Sequence, residues 1–112
     1  MDNTREYLQT QPIDLAVAGN NVLIAAPSDV GKYIAIDFIS MKSSGTNIVT
    51  FKSGTNALSG PIPLSTNESL TWENTIKNSN GVITCKPNEA FIITFSASNQ
   101  IGGMIRYRLV GF

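Results

Sequence analysis

In "KYIAIDFISMK", residues 32–42, apolar side chains recur at every second position. Ile34, Ile36 and Phe38 are expected on one face of an extended chain, and the opposite face then carries Tyr33, Ala35, Asp37 and Ile39. This alternation of β-branched and aromatic residues is typical of a strand. Because both faces are apolar enough to be covered, the stretch predicts a central strand of an all-β domain.

A second stretch, "NIVTFKS" at residues 47–53, follows after the turn signal "SSGT". Its alternation puts Val49 and Phe51 on one side and leaves Asn47, Thr50 and Lys52 mostly exposed. Two strands separated by a short glycine-containing turn are typical of a hairpin. We therefore predict that these two stretches pair directly.

Further short strands with the same rhythm run along the rest of the chain. The candidates are "IDLAVAG" (13–19), "VLIAAP" (22–27), "ESLTW" (68–72), "GVITC" (81–85), "AFIITFSA" (90–97) and "MIRYRLV" (104–110). Turn residues separate them, including an "NN" turn at 20–21 and an "SNQIGG" turn at 98–103, and Pro61 and Pro63 belong at an edge or corner because proline cannot donate to a sheet. Eight or nine such strands predict a single-domain antiparallel β-sandwich, jelly-roll-like, over residues 13–112.

Two strands are expected to supply facing layers of the core. One layer is Phe91, Ile93 and Phe95, and the other is Ile105, Tyr107 and Leu109. Residues 1–12, "MDNTREYLQTQP", have no sustained apolar period, and they predict a flexible N-terminal arm that orders against a partner.

Composition narrows the function classes. Eight basic and eight acidic side chains cancel, so the basic excess that nucleic-acid binding requires is missing. The apolar runs are far shorter than the roughly 20 residues of a membrane span, and no signal-peptide pattern is present. Charged residues make up only 14% of the chain, and such a weakly charged surface favours self-association. We therefore expect part of this surface to be covered in a homo-oligomer.

Residue types that carry chemistry are scarce. The chain has no histidine and one cysteine, Cys85, which predicts neither a zinc site nor an internal disulfide. "APSDVGKY" at 26–33 lacks the first glycine and the final Ser or Thr of a phosphate-binding loop. The carboxylates stand singly in turns and strands. We predict no enzyme, no metal and no cofactor.

Candidate partner-binding residues lie in three places. On the last strand Arg106 and Arg108 share a face with Met104; this is either a solvated face or a subunit interface where arginine pairs with carboxylates. Trp72 is either a core anchor or a platform for a sugar ring. In the arm, the candidates are Arg5, Tyr7 and Leu8.

The passages "GKYIAIDFISM", "VTFKSGTNALSGPIPLSTNESLTW" and "NEAFIITFSASNQIGGMIRYRLV" resemble a group of small structural proteins of tailed bacteriophages. The resemblance covers about residues 13–110 and contains no catalytic position. It implies a compact β-sandwich, often trimeric, that serves as a capsid decoration protein or at a fibre tip. The link "SLTWENTIKNSN" departs from the pattern because a more apolar segment is expected there.

Together these observations predict a non-enzymatic virion protein, made in the host cytoplasm, that binds the major capsid protein and stabilises the head shell as a trimer. The arm would attach it to the shell by adding to another protein's sheet. The alternative is a receptor- or glycan-binding head module of a tail or head fibre, with Trp72 among its contacts.

Overall fold

The computed structural model describes residues 8–74 and 81–111, which contain ten β-strands and no helix. The strands are β1 (Gln9–Leu15), β2 (Gly19–Ile24), β3 (Tyr33–Ser43), β4 (Asn47–Ser53), β5 (Asn56–Ala57), β6 (Ile62–Leu64), β7 (Ser69–Glu73), β8 (Ile83–Thr84), β9 (Phe91–Phe95) and β10 (Ile101–Val110). They form two antiparallel sheets packed face to face, so the predicted all-β sandwich is confirmed.

Each sheet contains five strands. Sheet A has the order β1-β10-β3-β7, with β8 also paired to β3. Sheet B has the order β2-β9-β4-β5, with β6 also paired to β4. The strands β1 and β2 lie on one side of the sandwich, where Gln11 Nε2 donates to the Leu23 carbonyl. The strands β7, β5 and β6 lie on the other side, where Trp72 of β7 contacts Phe51 of β4.

The core between the sheets is centred on Phe51 of β4. Its ring stacks on Phe91 at 5.7 Å and meets Trp72 edge-on at 5.2 Å. The predicted layer from β9 is fully buried, as is Ile105 of β10, whereas the two remaining members of the β10 layer are half-buried against the same cluster. The prediction of facing core layers is therefore confirmed.

The predicted hairpin of β3 and β4 is wrong, because the two strands belong to different sheets. Residues 44–46 carry the chain across the sandwich, where Asn99 Nδ2 donates to the Thr46 carbonyl at 2.7 Å. A glycine-containing turn marks a change of direction but does not reveal whether the chain returns to the same sheet. The crossing places two consecutive strands back to back.

Asn47 is buried, with 1% of its surface exposed, although the sequence predicted an exposed side chain. Its Oδ1 accepts from the amides of Ser96 and Ala97 at 3.1 and 3.0 Å, and its Nδ2 donates to the Ala97 carbonyl at 3.0 Å. These bonds satisfy the amide and tie the start of β4 to the end of β9. A buried polar group with every partner present is compatible with a core position.

A β-bulge at Asp37 changes the phase of β3. Arg106 pairs with Phe38 and Tyr107 with Ile36, so Asp37 is the extra residue. After it the alternation reverses: Ile39 and Met41 point into the core and Phe38 points outward, the opposite of the predicted faces. The bulge at Asp37 is stabilised because its side chain and its carbonyl both accept hydrogen bonds from polar groups outside the core.

The sheets begin earlier than the sequence predicted. Gln9 to Pro12, assigned to the flexible arm, pair with β10, and residues 1–7 lie outside the described residues. The predicted "NN" turn belongs to β2, and β10 begins at Ile101 inside the predicted "SNQIGG" turn. These edge segments are held by backbone hydrogen bonds, which do not require an apolar pattern.

Candidate assembly surfaces

The structure separates the predicted partner-binding residues. Leu8, Arg106 and Arg108 line one groove on the outer face of sheet A, and Met104 lies on the same strand as the two arginines. Trp72 is partly buried and packs edge-on against Phe51, a position that favours the core-anchor interpretation of this tryptophan. The remaining candidates, Arg5 and Tyr7, lie outside the described residues.

The groove has a volume of about 360 Å³, and an ion pair crosses its floor. Arg108 donates from Nε to Asp37 Oδ2 at 2.6 Å and from Nη2 to Oδ1 at 2.9 Å. Asn74 Nδ2 adds a third bond to Oδ1 at 3.1 Å. Both charged side chains are largely buried. This two-pronged pair stabilises the bulge, so Arg108 has a structural role rather than the solvated one considered from sequence.

Arg106 is the exposed arginine of the groove. Its guanidinium lies 5.7 Å from the centre of the Phe38 ring, a cation–π contact. Met104 is half-buried two residues earlier. The groove is therefore a shallow polar surface in which the charges already have intramolecular contacts.

The described residues contain no cluster of three or more His, Cys, Asp or Glu side chains that could hold a metal ion. In the same residues, no helix is long and apolar enough to cross a membrane. Cys85 is buried, and burial raises the pKa of its thiol from 9.0 to about 11. At neutral pH this thiol stays protonated, the unreactive form.

The outer edge of β7 carries free backbone groups. The Asn74 amide donates to the Asp37 carbonyl at 2.8 Å, and hydrogen-bonded pairs alternate along an antiparallel ladder. Alternate β7 residues therefore turn their amides and carbonyls away from β3: Ser69, Thr71 and Glu73. No strand pairs with this edge among residues 8–74 and 81–111.

β2 presents a second free edge, on the opposite side of the sandwich. The Ser96 amide donates to the Ile48 carbonyl at 3.0 Å, so every second residue of β9, counted back from Ser96, bonds to β4. The residues of β9 between these bond to β2, where their partners include Gly19 and Asn21. The backbone groups that face away from β9 belong to Asn20 and Val22. Val22 is also 60% exposed.

Four further strands lie at sheet edges: β5 and β8 have only two residues each, and β1 and β6 contain proline. The Ser44 amide donates to the Gln100 carbonyl at 2.9 Å, so the same alternation places the outward backbone groups of β1 at Thr10, Pro12 and Asp14. In β6, Pro63 pairs with Ile48 at a position that faces away from β4. Proline removes the outward donor and blocks pairing with another strand.

Among the edge strands longer than two residues, β1 and β6 are thus closed by proline, and β2 and β7 are open. The sequence placed Pro63 at an edge, but it did not identify Thr71 or Val22 as functional positions. A proline within a strand pattern is the signal that identifies a closed edge. An open edge has no such signal, because only the pairing order of the strands reveals it.

Comparison with known proteins gives a fold neighbour and no family. No family model matches the chain, and no curated protein matches it. A solved structure described as Bacillus endospore appendages, which form a novel family of disulfide-linked pili, matches 100% of this chain and 96% of its own chain. The TM-score is 0.52 and the sequence identity is 16%, which places the two chains in the same type of fold.

This finding corrects the predicted function. The fold neighbour is a pilus protein, so the capsid decoration function is wrong, and the fibre-head alternative falls with it. The pattern of strands and turn residues predicts a β-sandwich, but it does not predict the function of the sandwich or its binding partner. The phage resemblance, the trimer and the virion location stay predictions that no comparison tests.

Proposed function

We propose that this chain is a non-catalytic structural subunit that assembles with copies of itself into a pilus-type fibre. The observation that carries the proposal is the pair of open strand edges, β2 in sheet B and β7 in sheet A, on opposite sides of the sandwich. The full-length fold likeness to a pilus protein supports the same class of function.

The open edges fit one another. β7 has five residues and β2 has six, so one edge can cover the other along its length. When β7 of one copy pairs with β2 of the next, sheet A of the first continues into sheet B of the second. Each shared hydrogen bond contributes about 1 kcal/mol.

Such a contact joins two different surfaces, and it therefore leaves a free β2 at one end of the assembly and a free β7 at the other. Repeated head-to-tail contacts form rings if the rotation closes and helical filaments if it does not. Proline in β1 and β6, together with the two-residue length of β5 and β8, restricts pairing to β2 and β7. The result is a head-to-tail assembly of copies with two different ends.

The contacts between copies in this proposal are not disulfides. The fold neighbour is described as disulfide-linked, whereas the single cysteine of this chain is buried in the core. Backbone pairing supplies an interaction between copies that needs no exposed thiol.

The test is a matched pair of proline substitutions. Thr71→Pro removes an outward amide from the open β7 edge, and Thr10→Pro makes the same change on the β1 edge, which already contains Pro12. Wild-type protein is examined by sedimentation and negative-stain electron microscopy with both variants. We expect fibres from wild type and Thr10→Pro, and none from Thr71→Pro at the same concentration. Equal assembly by both variants would contradict the proposal.

A further inference from the structure

The loop between β2 and β3, residues 25–32, is held in one shape by Asn88. Nδ2 of this residue donates to the carbonyls of Pro27 and Asp29 at 2.9 and 2.8 Å, and its Oδ1 accepts from the Gly31 amide at 3.0 Å. These bonds are made to the loop backbone. The loop conformation is therefore independent of the side chains at its tip.

At the tip of this loop Val30 is 92% exposed, the most exposed large apolar side chain among the described residues. Next to it, the Asp29 side chain is 74% exposed and lies 3.8 Å from Lys32, a surface pair that contributes little to stability. A braced loop thus presents one apolar side chain and one carboxylate to the outside.

The opposite end of the molecule has a depression of about 450 Å³. Its lining consists of Lys42, Ser43, Ser44, Asn67, Gln100 and Gly102. Lys42 is exposed and is the charged member of this lining. Val17, 65% exposed, lies at the same end, where the neighbouring Ala18 amide donates to Ser98 Oγ at 2.9 Å.

One strand connects the two features. β3 starts at Tyr33, directly after the loop, and ends at Ser43 in the depression. Eleven residues of strand span roughly 35 Å, most of the 49 Å long axis of the molecule. The loop tip therefore cannot reach the depression of its own chain, but it can reach that of a second copy placed end to end.

We infer that copies also stack along the β3 axis, with the Val30 loop of one copy seated in the depression of the next and Asp29 facing Lys42. The two charges are complementary, and the contact buries an apolar side chain that is otherwise in water. Because the two surfaces differ and lie at opposite ends, the contact repeats without closing. This inference rests on the proposed self-assembly and adds a direction to it, since edge pairing extends across the strands.

A charge exchange between copies tests the contact. Asp29→Lys places a cation opposite Lys42, and Lys42→Asp places a carboxylate opposite Asp29. Each variant alone is expected to raise the concentration needed for fibre formation at least tenfold, because like charges in contact are strongly unfavourable. In a 1:1 mixture of the variants every contact again joins opposite charges, so we expect fibres with alternating copies.

The control is Leu58→Thr, which changes an exposed side chain that belongs to neither contact and whose amide already donates to the Phe51 carbonyl at 2.7 Å. Circular dichroism and thermal melting confirm that each variant folds, and Val30→Ser provides a second, uncharged disruption of the contact. If wild type forms no fibres, the proposed function fails and the stacking contact with it. If wild type forms fibres and both charge variants form them equally well, or if the mixture restores nothing, the stacking contact alone is wrong.

Discussion

The two sides of the sandwich differ in how their strand edges are treated. On one side β1 carries Pro12 at an outward position, while β2 next to it offers the free backbone of Val22. On the other side β6 carries Pro63, while β7 offers the free backbone of Thr71. Among the edge strands longer than two residues, each side thus combines one closed strand with one open strand, and the open strands belong to different sheets.

This difference indicates that the closed edges determine which strands of two copies can pair. Four open edges would allow many pairings between copies, including like with like, and would favour irregular aggregation. With two edges closed, pairing of β2 with β7 is the arrangement that continues in one direction. Folding stability comes from the core around Phe51, so the edges can be altered without loss of the fold.

The largest expected effect is an all-or-none exchange between two edge variants. Val22→Pro disables β2 and leaves β7 intact, whereas Thr71→Pro does the reverse. Each variant alone is expected to lose edge pairing, and a 1:1 mixture can form a single contact between one copy of each. When both variants also carry Val30→Ser, which removes the end-to-end contact, light scattering should then give twice the 12.0 kDa mass of one chain. A mixture that stays monomeric would contradict the heterologous contact.

Copies could be joined through Cys85 instead of through strand edges only if its thiol were exposed. The pH dependence of the free energy of unfolding tests whether this thiol is buried. Burial raises the pKa of this thiol from 9.0 to about 11 in the folded state. Between those pH values the unfolded chain loses the proton and the folded chain keeps it, so the free energy of unfolding is highest below pH 9 and falls as the pH rises through 11.

The expected loss is about 2 kcal/mol, and it should shrink in Cys85→Ala when both proteins are unfolded in urea at pH 8 and at pH 10.5. Assembly of this variant at pH 7 should match wild type, with or without reductant. Fibres that fall apart in reductant would show that a disulfide joins the copies.

Opening a closed edge should have a smaller effect. Pro12→Thr restores an outward amide to β1, which adds about 1 kcal/mol of hydrogen bonding to any strand that pairs there. We expect wider fibres or lateral clumps in electron micrographs, with Pro63→Thr as an independent repeat on β6. Fibres of unchanged width in both variants would mean that proline does not govern the use of these edges.

The smallest effect is expected in the groove on sheet A. Arg106→Glu removes the contact with Phe38, which costs about 0.5–1 kcal/mol of stability at an exposed site. Assembly should be unchanged because Arg106 lies on β10, between β1 and β3 in sheet A, and not at a strand edge. A clear loss of fibres with a normal melting curve would move the interface to this face and restore the interface reading of the arginines.

Much of the fold was predictable because period-two alternation directly reflects burial on one face. The bounds predicted for β4 match the structure, and Phe91, Ile93 and Phe95 are core residues as expected. The sheet assignment of β4 was not predictable, since a turn signal does not choose a sheet. The bulge at Asp37 was also not predictable, because the residue that stabilises it, Arg108, is 71 positions away in the sequence.

The candidate site was less accessible to sequence reasoning. Arg106 and Arg108 were predicted as partner-binding residues, yet Arg108 forms an internal ion pair and Arg106 lies over the ring of Phe38. The open edges consist of main-chain groups, which every residue has, and their location depends on the hydrogen-bonding phase of neighbouring strands. Only the assembled sheets reveal that phase.

The most direct test of pairing between β2 and β7 is amide hydrogen exchange, residue by residue, on monomers and on assembled protein. If these edges pair, their outward amides exchange fast in the monomer and slowly in the assembly; these amides are Asn20, Val22, Ser69, Thr71 and Glu73. The outward amides of Thr10 and Asp14 on β1 should stay fast in both. Protection at Thr10 and Asp14, with none at Val22 and Thr71, would contradict the pairing of the open edges.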